Sequence, residues 1–249
     1  MNRKPAYEAL ADWFEYLNDD CGYENWSQYL IAELQAHLDR EKLPPTGLDV
    51  GCGSGYFTRA FQKHGFFVTG MDVSKEMLTR AKEKAAKEGV KSEYLLGDIT
   101  KLKTPVRYSF VTAINDCVNY VKKDKLKTAF KKVHATLSKN GLFLFDISSK
   151  RKFYEKIANT VSADDREDVT YLSFNSLNGD EVTMDVTLFV RREDGAFERY
   201  DEQHVQYVYE ESEIIEALEE AGFELLRVQG HLGEDKELSD RICFAAKRR

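Results

Sequence analysis

Long apolar runs are missing from this 249-residue chain: no stretch approaches the ~18 uninterrupted apolar residues that a membrane span needs. The first residues, MNRKPAYEALADWFEYL, carry charges throughout and lack an apolar run followed by a small-residue cleavage site, so they do not read as a signal peptide. Cysteine is sparse and unpaired in pattern. Cys21, Cys52, Cys117 and Cys243 lie far apart with no CxxC, which argues against a zinc site or a disulfide framework and for reduced thiols in the cytoplasm. There is no basic excess either. Thirty-six basic against 43 acidic residues leave a net charge of −7, so no field gathers polyanions and no nucleic-acid partner is expected. Prolines number only four, and no Pro/Gly-rich linker, internal repeat or low-complexity tract breaks the chain into separate units. Apolar residues make up 42%, ordinary for a globular domain.

What is present is an alternation. From Pro45 to about Ile147, apolar strand patterns (TGLDVGCG, FFVTGMDV, SEYLLGDI, YSFVTAIN, LFLFDI) are separated by helical patterns. One helix, SKEMLTRAKEKAAKEG, has Ser74 as N-cap and Gly89 beyond its end; another puts Leu126, Phe130, Val133 and Leu137 on one face. Strands separated by helices of this length predict an α/β fold, a Rossmann-like, doubly wound, mainly parallel sheet covered on both faces. After Ile147 the pattern changes. A short helix near Lys152–Ala158 leads into three alternating stretches with turn signals at Asn178-Gly179 and Asp194-Gly195, predicting a three-stranded antiparallel meander over about 168–209. A helix at Ser212–Ala221 and two further strands complete a seven-stranded sheet. The domain plan is therefore an N-terminal helical lid segment (1–44), an α/β domain (45–150 and 211–249) and an inserted helix with antiparallel flap (151–210).

The sharpest feature is LDVGCGSGYF, residues 48–57, an apolar strand running into Gly51, Gly53 and Gly55 just before a helix. Doubly wound sheets bind ligands at the carboxyl ends of their strands. A dinucleotide fingerprint, GxGxxG, fails at its third glycine, because Tyr56 or Thr58 stands there, and the Lys-Ser/Thr ending of a Walker loop is absent. Asp49-x-Gly51-x-Gly53-x-Gly55 instead resembles motif I of the class I S-adenosylmethionine-dependent methyltransferases. The resemblance extends along residues 45–150 and, in outline only, beyond them. It implies S-adenosyl-L-methionine as cofactor, with the backbone at Gly51, Cys52, Gly53 and Gly55 passing beneath the methionine part. Asp72, followed by Val73, ends the second strand and is suited to accept two hydrogen bonds from a ribose diol. Asp98 ends the third strand, where the family's acid receives the adenine amino group; Ile99 supplies a backbone N–H and an apolar wall, and Met77 an adenine shelf.

In this family the exit of the fourth strand faces the methyl group. Here it runs Asn115-Asp116-Cys117-Val118-Asn119-Tyr120, without the Asn/Asp-Pro-Pro-Tyr/Phe signature of enzymes that methylate DNA amines or glutamine amides. Asn115 is assigned to the cofactor side and Tyr120 to the acceptor side. Asp116 is the candidate catalytic residue: it could touch an acceptor amine, act as base, or cap the following turn. Tyr7, Leu10, Phe14 and Leu17 form a helical core stripe, whereas Tyr16, Tyr23 and Trp26 are candidates for a lid whose aromatic faces suit a sulfonium. His204, in the third meander strand, is a candidate base from the flap. No cluster has metal-ligand spacing. The flap resembles that of small-molecule methyltransferases acting on amino sugars and glycine-like amines, which implies a small-molecule amine or hydroxyl acceptor and allows a homodimer through the flap. Two alternatives remain: a nicotinamide-dependent oxidoreductase, and a cofactor-binding protein without catalysis.

Overall fold

The computed structural model describes residues 6–38 and 45–249. Part of the expected lid segment, 1–5 and 39–44, lies outside them. The lid is less helical than expected. It opens with a 3₁₀ turn at Leu10–Asp12 and a single α turn, α1 (Phe14–Leu17), before the longer α2 (Tyr23–His37).

The α/β core then alternates as β1 (Thr46–Val50), α3 (Tyr56–Lys63), β2 (Phe67–Asp72), α4 (Lys75–Lys87), β3 (Glu93–Leu96), β4 (Tyr108–Ala113), α5 (Lys123–Thr136) and β5 (Leu137–Ser148). Ser74 caps α4 as its sequence suggests, its Oγ accepting from the Met77 N–H at 3.1 Å. A three-residue helix, α6 (Lys150–Lys152), runs into a π turn at Phe153–Ile157 and then into β6 (Val161–Asp165), β7 (Val169–Asn178), β8 (Glu181–Arg191) and β9 (Phe197–Tyr207). The chain returns to the core with α7 (Glu211–Glu220), β10 (Phe223–Gly230) and β11 (Arg241–Arg248).

Seven strands form one sheet in the order β10-β11-β5-β4-β1-β2-β3. The chain runs outward from β1 to β3, then returns to β4 on β1's other side. β1 and β4 therefore flank the switch point, where adjacent connections leave a crevice. Both faces are apolar, and the strands show it residue by residue. Phe110, Leu142 and Leu144 pack with Trp26, Leu34, Phe57 and Phe61 of α2 and α3. Their neighbours Val111, Phe143 and Phe145 pack with Phe130, Val133, Ile214 and Leu218 of α5 and α7. This alternation across a sheet covered on both sides follows from the two-residue strand period. Gly47 is forced by the same packing: a Cβ there would stand 2.2 Å from the Phe110 ring.

The inserted unit is a separate antiparallel sheet, β6-β7-β8-β9. It has four strands where the alternation signalled three. The extra one, β6, reads Val-Ser-Ala-Asp-Asp and is held by pairing with β7 rather than by an apolar face. The other side of the lid–flap contact is apolar: Leu10 packs with Val169, Val186 and Leu188, and Phe14 and Leu17 join them. Arg166 pins the same segment by bonding Asp19 at 3.0 Å. The N-terminal segment thus lies between the core and the flap.

Candidate active site

At the switch point, β1 ends in the glycine turn. Gly51, Gly53 and Gly55 all have positive φ (66°, 54° and 83°). At Gly51 the constraint is also steric, because a Cβ would stand 2.4 Å from Cys117 Sγ of the neighbouring strand exit. At Gly53 a Cβ would meet no atom within 4 Å, so that glycine leaves open space beside the turn. Asp49, fully buried one turn earlier, is not aimed at a ligand. Its carboxylate accepts from Thr58 Oγ1 of α3 at 2.6 Å and Thr112 Oγ1 of β4 at 2.8 Å, fastening the turn to both elements. Burial pushes its pKa up to about 6, against the pull of those two hydroxyls.

A cavity of about 460 Å³ opens over this turn. Gly51, Cys52, Gly53, Asp72, Val73, Met77, Asp98, Ile99 and Asn115 line it, as do Tyr23 and Tyr120. Gly55 does not; it starts α3 against Tyr94 and Ala81. The Asp72 carboxylate spans the turn, Oδ2 accepting from the Gly53 N–H at 2.8 Å and Oδ1 from the Ser74 N–H at 2.9 Å. Burial raises its pKa and these N–H groups oppose the rise. Asp98 accepts from the Thr100 N–H and hydroxyl at 2.8 and 2.7 Å through Oδ1. Burial would raise its pKa, but the Thr100 bonds and Lys101 outweigh it and hold the group below its ordinary value. The two acids stand at the ends of adjacent strands over one cavity, with the buried thioether of Met77 between polar groups as an apolar wall. This donor set suits a ligand with a diol, an amino-bearing heterocycle and no phosphate. The residues present fit S-adenosylmethionine.

A second cavity, about 340 Å³, lies beneath the small sheet. The two share Tyr7, Phe14, Asn115 and Tyr120. Asp116 and His204 face the second cavity, not the first. Asp116 belongs to a buried charge cluster. It accepts from Arg241 Nη1 and Ser148 Oγ, each at 2.8 Å, with Lys152 Nζ at 3.6 Å, and Arg241 also bonds Asp146. Burial works against ionising Asp116, but Arg241 and Lys152 outweigh it and hold its pKa low. A carboxylate so held accepts hydrogen bonds and is a poor base, and its side chain does not cap the turn it begins. His204, by contrast, joins a chain of bonds through Tyr120 to Tyr7.

Two lid candidates fall elsewhere. Trp26 is buried on α2 against Phe57, with the Arg241 guanidinium 4.5 Å from its ring centroid, so its apolar body completes the core. Tyr16 is 43% exposed and stacks on Arg166, 4.7 Å from its ring centroid. Tyr7 and Phe14, assigned by spacing to a core stripe, pack with Leu10 and Leu17 in one apolar cluster and also line both cavities. Tyr7 is non-helical, with φ 63°, so the stripe is apolar as expected but is not one continuous helix. Glu15 and Glu202 carried no sequence signal. Glu15 accepts from Ser54 Oγ and ion-pairs with Lys84 at 2.7 Å, which ties the N-terminal segment to the glycine turn and to α4.

Residues 48–141 match the family described as Methyltransferase domain. Across 98% of this chain and 100% of the relative, the sequence is 32% identical to a protein of Geobacillus sp. (strain WCH70) provisionally named a methyltransferase. The chain belongs to the S-adenosylmethionine-dependent methyltransferases. The methyltransferase shares its fold, at TM-score 0.87 and 27% identity, with an S-adenosylmethionine-dependent methyltransferase from Clostridium acetobutylicum ATCC 824, covering 97% of this chain and 98% of that one. A fold likeness at TM-score 0.74 and 22% identity extends to S-adenosylmethionine-bound CalS10, an amino pentose methyltransferase from Micromonospora echinaspora, over 95% and 96% of the two chains. The nicotinamide alternative falls with the third glycine and with this kinship. Among the described residues no group of His, Cys, Asp and Glu could hold a metal ion, and no helix is long and apolar enough to cross a membrane.

Proposed function

We propose that this methyltransferase moves a methyl group to a small-molecule amine or hydroxyl seated in the cavity beneath the small sheet. The observation that carries the reading is the junction of the two cavities at Tyr7, Phe14, Asn115 and Tyr120. In this reading Asp72 holds the ribose diol, Asp98, Ile99 and Met77 hold the adenine, and the turn at Gly51–Gly53 runs beside the methionine part. The cofactor supplies a methyl on a sulfonium, already activated for in-line displacement. What remains for the protein is to orient the acceptor, exclude water and accept a proton.

The second cavity suits such an acceptor in size and chemistry. Leu10, Ile157, Met184 and Val186 give it apolar walls, and Asp116, Lys152, His204 and Gln206 offer polar contacts. Its walls come from the lid, the flap and the fourth-strand exit. The fold likeness to an amino pentose methyltransferase and to the sugar N-methyltransferase KedS8 supports an amine of sugar-like size. The test is transfer of labelled methyl from adenosylmethionine to glucosamine, tyramine, glycerol and malonate. Label on an amine or hydroxyl is expected. Label on malonate alone, or only on protein or nucleic acid added to the assay, would overturn the reading.

A further inference from the structure

We infer that Tyr120, His204 and Glu202 form a proton relay that takes the proton an amine or hydroxyl acceptor must lose. Tyr120 is then the catalytic group at the acceptor, and His204 and Glu202 are positioning residues that act through it. The inference rests on the amine-or-hydroxyl reading, since a carboxylate acceptor has no proton to give up.

The geometry is continuous. Glu202 and His204 sit two residues apart on β9, so the strand period places both side chains on one face. They are 1% and 3% exposed, and a buried carboxylate–imidazole pair needs partners at every polar atom. Glu202 finds them in the N–H groups of Tyr7 at 2.9 Å, Leu10 at 3.0 Å and Ala9. Its Oε2 also lies 3.2 Å from His204 Nε2. Burial would raise the Glu202 pKa, but the bonds from His204, Leu10 and Ala9 outweigh it and keep the group ionised. An ionised carboxylate only accepts, so His204 Nε2 must carry the hydrogen. The Nδ1 lone pair is then free to accept from Tyr120 Oη, 3.2 Å away. Tyr7 Oη, 2.7 Å from Tyr120 Oη, and the Gln206 side chain take up the other positions on the phenol oxygen, so an acceptor reaches it by displacing one of them. Tyr120 lines both cavities, which puts this oxygen's ring between donor and acceptor sites. The other titratable groups around this cavity are Tyr171, Asp116, Lys152 and Asp164; Asp116 is paired with Arg241 and Lys152, and Asp164 with Arg166.

The step balances. The acceptor's lone pair forms the bond to the methyl carbon as the carbon–sulfur bond breaks, its electron pair staying on sulfur. The acceptor's proton passes to Tyr120 Oη while the phenol's own proton passes to His204 Nδ1. The positive charge lost from sulfur reappears on an imidazolium paired with Glu202, and that proton later leaves to solvent.

The relay is tested on the full chain with two variants, His204→Gln and Tyr120→Phe, the second of which removes a single oxygen. Nitrogen-15 imidazole spectra, which need no acceptor, should show His204 with Nε2 protonated and Nδ1 bare at neutral pH, and the Nδ1 signal should shift in Tyr120→Phe. Calorimetry should find adenosylmethionine affinity within about threefold of the parent in both variants. With glucosamine and tyramine as probe acceptors, kcat should fall by about 10²–10⁴ in His204→Gln, with a pH profile that differs from the parent's. An Nδ1-protonated ring, an unmoved Nδ1 signal in Tyr120→Phe, or a folded His204→Gln with parental kcat and pH profile would each overturn the relay while leaving the acceptor reading standing. Label on malonate alone would instead defeat the acceptor reading, and the spectra would still decide whether the chain of bonds exists.

Discussion

Replacing Asp72 by Asn separates what this carboxylate does for the fold from what it does for the cofactor. In the structure each oxygen already accepts one backbone N–H, from Gly53 and from Ser74. Each oxygen has a second lone-pair direction, and a ribose diol would use one from each. Asn keeps one oxygen and turns an NH₂ toward a backbone N–H, so one loop bond is lost and one diol bond with it. The lost charge-assisted bond to the diol is worth about 1.5–3 kcal/mol, or roughly 10- to 150-fold in affinity for adenosylmethionine. The lost loop bond costs about 1–3 kcal/mol of stability, partly offset because a neutral amide escapes the burial penalty that raises the Asp72 pKa.

For a chain of this length each kcal/mol moves Tm by roughly 2–4 °C. Thermal melts without cofactor should therefore show a modest drop, and calorimetry should show the larger change in affinity. Asp72→Ala removes both oxygens and should be worse on both counts, so it cannot isolate the binding role. A folded Asp72→Asn protein with unchanged adenosylmethionine affinity would refute the assignment of Asp72 to the diol. A loss of stability with no further loss of affinity would leave it only the role of tying the glycine turn to α4.

Three other outcomes follow from the same geometry. Gly53→Ala should fold, at about 1–2 kcal/mol for its left-handed φ, and lose adenosylmethionine binding, while Gly51→Ala should be far less stable in melts because its Cβ meets Cys117; normal binding by Gly53→Ala would mean the cofactor does not approach that glycine. Asp49 has a folded pKa of about 6 against an ordinary 3.8, so the folded chain takes up a proton in that window and this group's contribution to stability falls as pH rises through it; denaturant unfolding across that range should show Asp49→Asn with a flatter pH dependence than the parent, and identical slopes would contradict the burial. Glu202→Ala should free the lid at Tyr7–Leu10 and speed limited proteolysis of the first 20 residues, an effect that an unchanged cleavage rate would rule out.

The fold was legible because its signals are periodic and local. Two-residue alternation in β4 and β5 sends Phe110 and Val111 to opposite cores, and Ser74 caps α4 where its side chain announces it. The glycine turn, Asp72, Asp98 and Met77 were equally accessible, because each follows a strand end or a cap and the sheet order alone brings those ends together. What escaped lacked a period. β6 owes its strand to the hydrogen bonds of a neighbour, and Tyr7 departs from helix through one positive φ that no adjacent residue requires.

The cavity proposed for the acceptor was hard to foresee for a different reason. Its residues come from four separated stretches, near 7–18, 115–120, 152–171 and 184–206, so no spacing within one stretch announces the site. Asp116 stood out because a carboxylate follows the fourth strand, yet Arg241, 125 residues later, decides its chemistry by pairing with it. Trp26 was attractive for its ring and is used instead as the surface on which the same Arg241 lies. His204 was a candidate base, but its partner Glu202 two positions away gave no sign, because Glu202 depends on backbone N–H groups nearly 200 residues earlier. A carboxylate held ionised in this way by the lid's backbone fixes a histidine tautomer in the flap. On the proposed relay, closure of this N-terminal segment and readiness of the base are one arrangement, and a change that opens the first disarms the second.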